Sequence, residues 1–179
     1  MRNAAFLGAG LVLLLAQANL FRVLSWVHVP GLVPSLVLPL IVFMGVHEYS
    51  LARGAAVAFV LGYATDLIGI APVGLYTSTF VAIFIMTRAA GVRLAAQTMW
   101  MQALLAFAFT LVHSVMVLVL LAIFAKDSDK GWVARALYPL ALPHSLATAI
   151  VAPIVFRIAQ KIHLLTSSAP RPEAGGGRA

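Results

Sequence analysis

The sequence predicts an all-α, polytopic membrane protein with about six transmembrane helices. Of its 179 residues, 63% are hydrophobic and only 9% are charged, and the mean hydropathy is +1.03. A soluble domain carries about a quarter charged residues, since water must solvate its surface. We therefore expect lipid to be the main solvent. The apolar residues form long continuous runs, which favours helices over the short alternating stretches of a membrane β-barrel.

The first apolar run, from Ala4 to Val27, is predicted to be a retained helix. Arg2, the apolar residues after it and the stretch Ala16-Gln17-Ala18 together imitate a cleavable signal peptide. Apolar residues nevertheless continue well past that site, which is typical of a membrane span.

The second run, from Gly31 to Val46, is short for a span, which needs ~20 residues. It contains Pro34 and Pro39, and Pro30 precedes it. Proline removes a backbone donor and bends a helix. We therefore expect a kinked segment that packs against protein.

Four further runs complete the predicted six spans: Gly54 to Ile70, Leu75 to Met86, Ala95 to Phe124 and Leu137 to Ile162. A tight turn from Gly69 to Gly74 joins the third run to the fourth, and prolines at 139, 143 and 153 are expected to bend the sixth. Residues 1–163 thus form the predicted transmembrane domain. Residues 164–179, rich in Ser, Pro and Gly, are predicted to be a disordered cytoplasmic tail.

The basic residues lie between the apolar runs and predict the orientation. The net charge is +7, but no basic patch with aromatic residues indicates nucleic-acid binding. With both termini in the cytoplasm, eight Lys and Arg residues lie inside and four outside, as the positive-inside rule requires. The inner group is Arg2, Arg53, Arg88, Arg93, Arg157, Lys161, Arg171 and Arg178, and the outer group is Arg22, Lys126, Lys130 and Arg135. The sequence therefore predicts an inner-membrane protein, N-in and C-in, provided that the short second run counts as a span.

Asp66 is the only acidic residue predicted to lie within a span. An ionisable group there costs at least ~2.5 kcal/mol, so it needs a specific role. It could be a proton or ligand site, or it could accept hydrogen bonds from backbone donors of the turn that follows. Glycines around it, and Pro72, indicate close backbone packing. We favour the structural role because a proton relay would need a second membrane acid.

The remaining polar residues do not assemble a catalytic or metal site in the sequence. His113 and His144 lie in the fifth and sixth runs, where a hydrogen-bonding role between helices is expected more than a metal site. No nucleophile with a base, no carboxylate pair and no phosphate loop is evident. We therefore expect a protein that is not an enzyme and holds no cofactor or metal.

The segment from Pro34 to Arg88 resembles the rod shape-determining protein MreD family. The resemblance is carried by four short motifs: Pro34-Ser35-Leu36-Val37-Leu38, Arg53-Gly54, Gly62-Tyr63-Ala64-Thr65-Asp66-Leu67 and Pro72-Val73-Gly74-Leu75-Tyr76. In that family a proline-containing second helix precedes a glycine-x-x-x-aspartate helix end and a proline-x-glycine turn. The chain departs from the family at Ser35, where an acid is frequent, and in its more apolar turn, residues 68–71.

The resemblance implies a non-enzymatic scaffold of the elongation complex for lateral peptidoglycan synthesis and cell shape. Its partners would be the bitopic protein MreC, the MreB filament, the glycosyltransferase RodA and its partner transpeptidase. We expect the turn from Gly62 to Gly74, held by Asp66, to shape a groove for a partner's transmembrane helix. The predicted partner-binding or structural residues are Pro34, Pro39, Gly62, Tyr63, Asp66, Gly69, Pro72, Gly74 and Tyr76.

Two alternative functions remain open at this point. The first is the substrate-binding S-component of an energy-coupling-factor vitamin transporter, whose six-helix fold resembles that of MreD. Ala5 and Ala9 would then contact the coupling subunit, although the sequence has few polar groups for a vitamin pocket. The second is a proton-coupled transporter centred on Asp66, which lacks partners for a relay.

Overall fold

The structure, a computed structural model, describes residues 2–24, 33–47, 50–69, 72–90, 98–124 and 137–167. Within these ranges it is helical and contains no strand, which confirms the all-α prediction. The six helices are α1 (Arg2–Leu24), α2 (Val37–His47), α3 (Leu51–Ile68), α4 (Leu75–Ala89), α5 (Met99–Phe124) and α6 (Leu142–Ser167). A π-helical turn, Leu137–Ala141, leads directly into α6.

The shortest helix, α2, is the centre of the bundle. All ten residues from Val37 to Val46 are buried, and α2 contacts each of the other five helices. Its 11 residues rise only about 16 Å at 1.5 Å per residue, well short of the ~30 Å hydrocarbon core. The second run is therefore packed against protein, as predicted.

The predicted proline kink within the second run is wrong, because its prolines avoid the helix interior. Pro34 is buried in the non-helical residues before α2, and Pro39 is the third residue of the helix. The first-turn amides of a helix have no acceptor within it, so proline is tolerated there without a bend. Only Pro153, in α6, lies within a helix interior among the described residues.

The ends of the chain differ from the sequence-based boundaries by a few residues. Helix α1 runs through the predicted signal-peptide-like site to Leu24 and packs against α3 and α6. Helix α6 continues to Ser167, so residues 164–167 are helical and not part of a disordered tail. The rest of the predicted tail, 168–179, lies outside the described residues.

Among the described residues, three helical segments are long and apolar enough to cross a membrane: Leu51–Ile68, Met99–Ile123 and Pro139–Thr166. Ala4–Leu20, Val37–His47 and Leu75–Ala89 are apolar but shorter. The chain is therefore helical, with transmembrane character in three of its described segments.

Successive helices alternate in direction along the bundle. At one end, the rings of His47 and His163 lie 5.8 Å apart, which brings the carboxyl ends of α2 and α6 together. The Arg157 guanidinium lies 3.5 Å from Met99 Sδ, which places the start of α5 near that end as well. At the other end, Gly69 after α3 and Tyr76 near the start of α4 line one cavity with Ser35, which lies just before α2. We refer to this second end as the turn end.

Candidate functional site

The Asp66 carboxylate is buried at the turn end and accepts four hydrogen bonds. The Asp66 side chain is 2% exposed. Its Oδ2 accepts from the Gly74 N–H at 2.9 Å, the Thr77 N–H at 3.1 Å and the Thr77 hydroxyl at 2.6 Å. Its Oδ1 accepts from the Tyr76 N–H at 2.8 Å. The predicted structural role, accepting hydrogen bonds from backbone donors of the following turn, is confirmed.

These bonds replace the cap that α4 cannot provide for itself. A helix leaves its first amides without acceptors, and Ser, Thr, Asp or Asn at the N-cap usually supplies one. Here the N-cap is Gly74, which has no side chain and adopts a left-handed φ of 99°. The Leu75 and Ser78 amides donate to backbone oxygens, and Asp66 accepts from the amides of the two residues between them. The negative charge of Asp66 also lies at the positive end of the α4 dipole, and this arrangement stabilises both the charge and the helix.

Gly62 is what brings Asp66 to the start of α4. A Cβ on Gly62 would lie 2.6 Å from Thr77 Cα, 2.9 Å from Thr77 N and 2.9 Å from Tyr76 O. All three atoms are backbone, so no side chain could move aside. Asp66 follows Gly62 by one helical turn and therefore lies on the same face of α3. The close approach at Gly62 thus places the carboxylate against the amides that need it.

Six of the nine predicted residues meet at this turn, and three do not. Gly62, Asp66, Gly69, Pro72, Gly74 and Tyr76 lie together there. Tyr63 is 44% exposed, and Pro34 and Pro39 are buried at the beginning of α2.

Thr77, which the sequence analysis missed, makes the shortest of the four hydrogen bonds to Asp66. Its position three residues after the N-cap glycine was a usable signal, since this is where a helix amide most needs an acceptor.

A cavity of about 990 Å³ opens beside this turn. Its 19 lining residues come from five helices, the π-helical turn and the segment that precedes α2, and none of them is Asp, Glu, Lys or Arg. Eight are polar but uncharged: Gln17, Asn19, Ser35, Thr65, Tyr76, His113, Ser114 and His144. From the sequence we expected few polar groups for a pocket. These eight residues are dispersed along the chain. Helix packing collects them at one end.

The two cavity histidines have different hydrogen-bonding states. His144 Nδ1 lies 2.7 Å from the Val33 carbonyl oxygen, which can only accept, so Nδ1 carries the proton and Nε2 of the neutral ring is an acceptor. His113 is 5% exposed, and its Nδ1 has no hydrogen-bond partner among the described residues. Its ring contacts Phe80 and Tyr76, with centroids 5.3 and 6.0 Å away. The expected hydrogen bond between elements therefore holds for His144 alone, while an unpaired buried polar atom such as His113 Nδ1 costs about 1–3 kcal/mol.

Two further polar side chains of the cavity use only part of their hydrogen-bonding capacity. Gln17 Oε1 accepts from the Leu36 N–H at 2.8 Å, and Ser35 Oγ accepts from the Leu38 N–H at 3.3 Å. Both bonds use oxygen as an acceptor. The Gln17 amide hydrogens and the Ser35 hydroxyl hydrogen take no part in these two bonds and remain available as donors.

The described residues provide a shaped surface and hydrogen-bonding groups, but few groups that could react. No group of three or more His, Asp or Glu side chains placed to hold a metal lies within those ranges. Asp66, the one acid they contain, is enclosed by its four donors. Comparisons of the chain with protein-family models, curated proteins and solved structures found no match.

Proposed function

We propose that this chain is a non-enzymatic scaffold of the bacterial inner membrane that crosses it six times and binds the transmembrane helix of a bitopic, MreC-like partner. It would act in the elongation complex, beside MreB, RodA and the partner transpeptidase, as the motif resemblance to MreD implies. The observation that carries the proposal is the saturation of Asp66. Its four hydrogen bonds commit the one described acid to holding a turn.

The alternation of helix directions supports six spans with both termini in the cytoplasm. Only three segments are long enough to cross alone, but α2 is enclosed by the other five helices and needs no contact with lipid along its length. A short helix is tolerated in such a position because protein, not lipid, surrounds its ends. In this orientation the turn end faces outward, and the basic residues at 53, 88, 157 and 161 lie toward the cytoplasm.

A carboxylate in this environment is suited to holding shape and unsuited to carrying protons. A proton carrier must exist in both protonation states and exchange with a second group. Protonating Asp66 would oppose four donors that all require an acceptor. The same bonds fix Gly74, Tyr76 and Thr77 against α3, and a fixed surface loses little entropy on binding.

The surface beside the capped turn is the partner site that we propose. Tyr63, Leu67 and Val73 are 44%, 63% and 69% exposed and surround the turn. Without a strong hydrophobic driving force in lipid, helices associate through close packing against a fixed shape. The turn from Gly62 to Gly74 provides such a shape, and a single partner helix could lie along it.

Site-specific crosslinking tests this surface. A photo-crosslinking amino acid is placed at Tyr63, Leu67 or Val73, and the MreC-like protein of the same genome is co-expressed. We expect crosslinks from these positions and none from Ile150, which is 77% exposed on α6 and serves as the matched control. Absence of partner crosslinks at all three turn positions, with the protein correctly inserted, would contradict the proposal. An MreC-like reading frame next to this one would support it independently.

A second candidate function, the S-component of a vitamin transporter, is favoured by the cavity at the turn end. If the protein is an S-component, it should support vitamin uptake that depends on a coupling ATPase. If it is a scaffold, loss of the protein should alter cell shape. The variant Asp66→Asn distinguishes a scaffold or an S-component from a proton-coupled transporter. Loss of proton-driven uptake by a stably folded variant would favour transport, and altered folding or cell shape would favour the scaffold.

A further inference from the structure

The cavity at the turn end has no role in the scaffold proposal, which uses the outer surface of the α3–α4 turn. Its volume of about 990 Å³ lies at the upper end of the range for small-molecule sites, about 300–1,000 Å³. His113 lines it, is 5% exposed, and has an Nδ1 without a partner in the described parts of the chain. A cavity of this size with eight uncharged polar side chains in its described wall, next to a buried polar atom without a partner among the described residues, is a candidate binding site.

We propose that this cavity binds an uncharged amphiphile, a molecule with a hydrocarbon body and a hydroxyl or primary amide head, with the head among Gln17, Tyr76, His113 and His144. The proposal depends on the cavity alone, so it can hold or fail independently of the partner helix.

The described part of the cavity wall offers no carboxylate, ammonium or guanidinium group to pair with a charged head. None of the 19 described lining residues is Asp, Glu, Lys or Arg, so among the described residues a bound carboxylate, phosphate or ammonium would have no carboxylate, ammonium or guanidinium as a counter-ion. Transfer of an unpaired charge into an apolar environment is far more costly than transfer of a neutral polar group. The wall therefore selects against fatty acids and charged phospholipid heads.

The uncharged polar groups match a head that both donates and accepts. His144 Nε2 is an acceptor because its Nδ1–H donates to the Val33 carbonyl. The Gln17 amide group is a donor because its oxygen accepts from the Leu36 amide. A hydroxyl or a primary amide has one group of each kind and can satisfy both sides at once. The Tyr76 hydroxyl, which has no hydrogen bond among the described residues, can serve either role.

The remaining wall suits a hydrocarbon chain. Leu14, Val117, Leu118, Leu121 and Leu140 contribute aliphatic surface to the same cavity. Burial of each CH₂ group contributes to binding in proportion to its area. The body of the ligand would lie against these residues while the head reaches the histidines.

Photolabelling of the whole protein tests the proposal. The full chain is reconstituted in nanodiscs of phosphatidylethanolamine and phosphatidylglycerol, exposed to a long-chain alcohol bearing a diazirine, and illuminated. Labelled residues are located by peptide mass spectrometry. We expect labelling of cavity residues on α5, competition by 1-dodecanol, and at least tenfold weaker competition by dodecane or by dodecanoate at pH 8. Labelling spread over the lipid-facing surface, or equal competition by dodecanoate, would overturn the proposal.

Two variants separate the cavity from the surrounding lipid. Ser114→Trp fills the cavity, and Val119→Trp places the same ring on the lipid-facing side of α5, where Val119 is 48% exposed. We expect the first to abolish cavity labelling and the second to leave it unchanged. If the two variants lose labelling equally, the label reports bulk lipid and the proposal fails.

If Ser114→Trp does not fold, the variant Tyr76→Phe can be used to test the proposal instead. The Tyr76 hydroxyl makes no hydrogen bond to the described residues, so the fold should persist without it. One lost hydrogen bond to the ligand corresponds to roughly a two- to tenfold loss in the potency of 1-dodecanol, with dodecane unaffected. An unchanged alcohol preference in Tyr76→Phe and in His113→Phe together would show that the head does not bind where we place it.

Discussion

Asp66 and His113 are both buried polar residues at the turn end of the bundle, yet they differ in how far their hydrogen-bonding capacity is used. Asp66 is 2% exposed and accepts four hydrogen bonds. His113 is 5% exposed, and its Nδ1 has no partner in the part of the chain that the structure describes. Tyr76 joins the two regions, since its amide donates to Asp66 while its ring contacts His113.

The difference shows that polar residues in an apolar bundle can serve two separate purposes. A saturated group such as Asp66 stabilises the fold, and removing it leaves its donors without acceptors. An unsaturated group such as His113, whose Nδ1 has no partner among the described residues, should stabilise the fold less. The effects of substitutions on stability should therefore be large in the first region and small in the second, and each prediction below tests that contrast.

Asp66→Leu should have the largest effect. It removes the acceptor of three amides and one hydroxyl. We expect a loss of about 3 kcal/mol or more in the free energy of unfolding in mixed detergent micelles, even though a buried charge is also removed. Asp66→Asn keeps one oxygen and should lose less. A loss below about 1 kcal/mol for Asp66→Leu would show that the turn is held in another way.

Gly62→Ala tests whether close approach of α3 and α4 is required to place the carboxylate. The new Cβ would meet only backbone, at 2.6 Å from Thr77 Cα, so the helices must separate. We expect a loss of about 1–3 kcal/mol, measured in the same micelles. Gly8→Ala is the matched control, because a Cβ there has no atom within 4 Å. It should be neutral or slightly stabilising, since alanine favours the helix.

Gly74→Ala isolates the backbone conformation of the turn from its packing. No atom lies within 4 Å of a Cβ at Gly74, but its φ of 99° is unfavourable for any residue with a side chain. We expect a loss of about 1–2 kcal/mol from this strain alone, measured as a lowered thermal midpoint. Gly74→Asn should recover part of it, because asparagine tolerates left-handed conformations better. Equal stability of all three proteins would mean that the turn relaxes freely.

His113→Phe should have the smallest effect on stability. It preserves an aromatic ring beside Phe80 and Tyr76 and removes a polar atom that has no partner among the described residues. We expect a change within about 0.5 kcal/mol, or a gain, in thermal unfolding of the purified protein. A loss comparable with that of Asp66→Leu would erase the contrast between the two regions.

Several features could be predicted from the residues because they depend on local chemistry. Long apolar runs and a content of only 9% charged residues indicate a helical membrane protein, however its helices pack together. The isolation of Asp66 among glycines was sufficient to predict that the following turn would satisfy it. The predicted proline kink was wrong because a proline bends a helix only when it lies in the interior of that helix. The residue at which α2 begins decides this, and the Ser35 oxygen that accepts from the Leu38 amide helps to set that residue.

The chain by itself therefore determined the solvent of the protein, its helical class and the structural role of its one described acid. Each of these follows from composition or from residues that are close together in the sequence. Tertiary structure alone decided that α2 lies at the centre and that Gln17, Tyr76, His113 and His144 share one cavity. These residues lie on four different helices, and only the packing of those helices brings distant polar groups to a common wall.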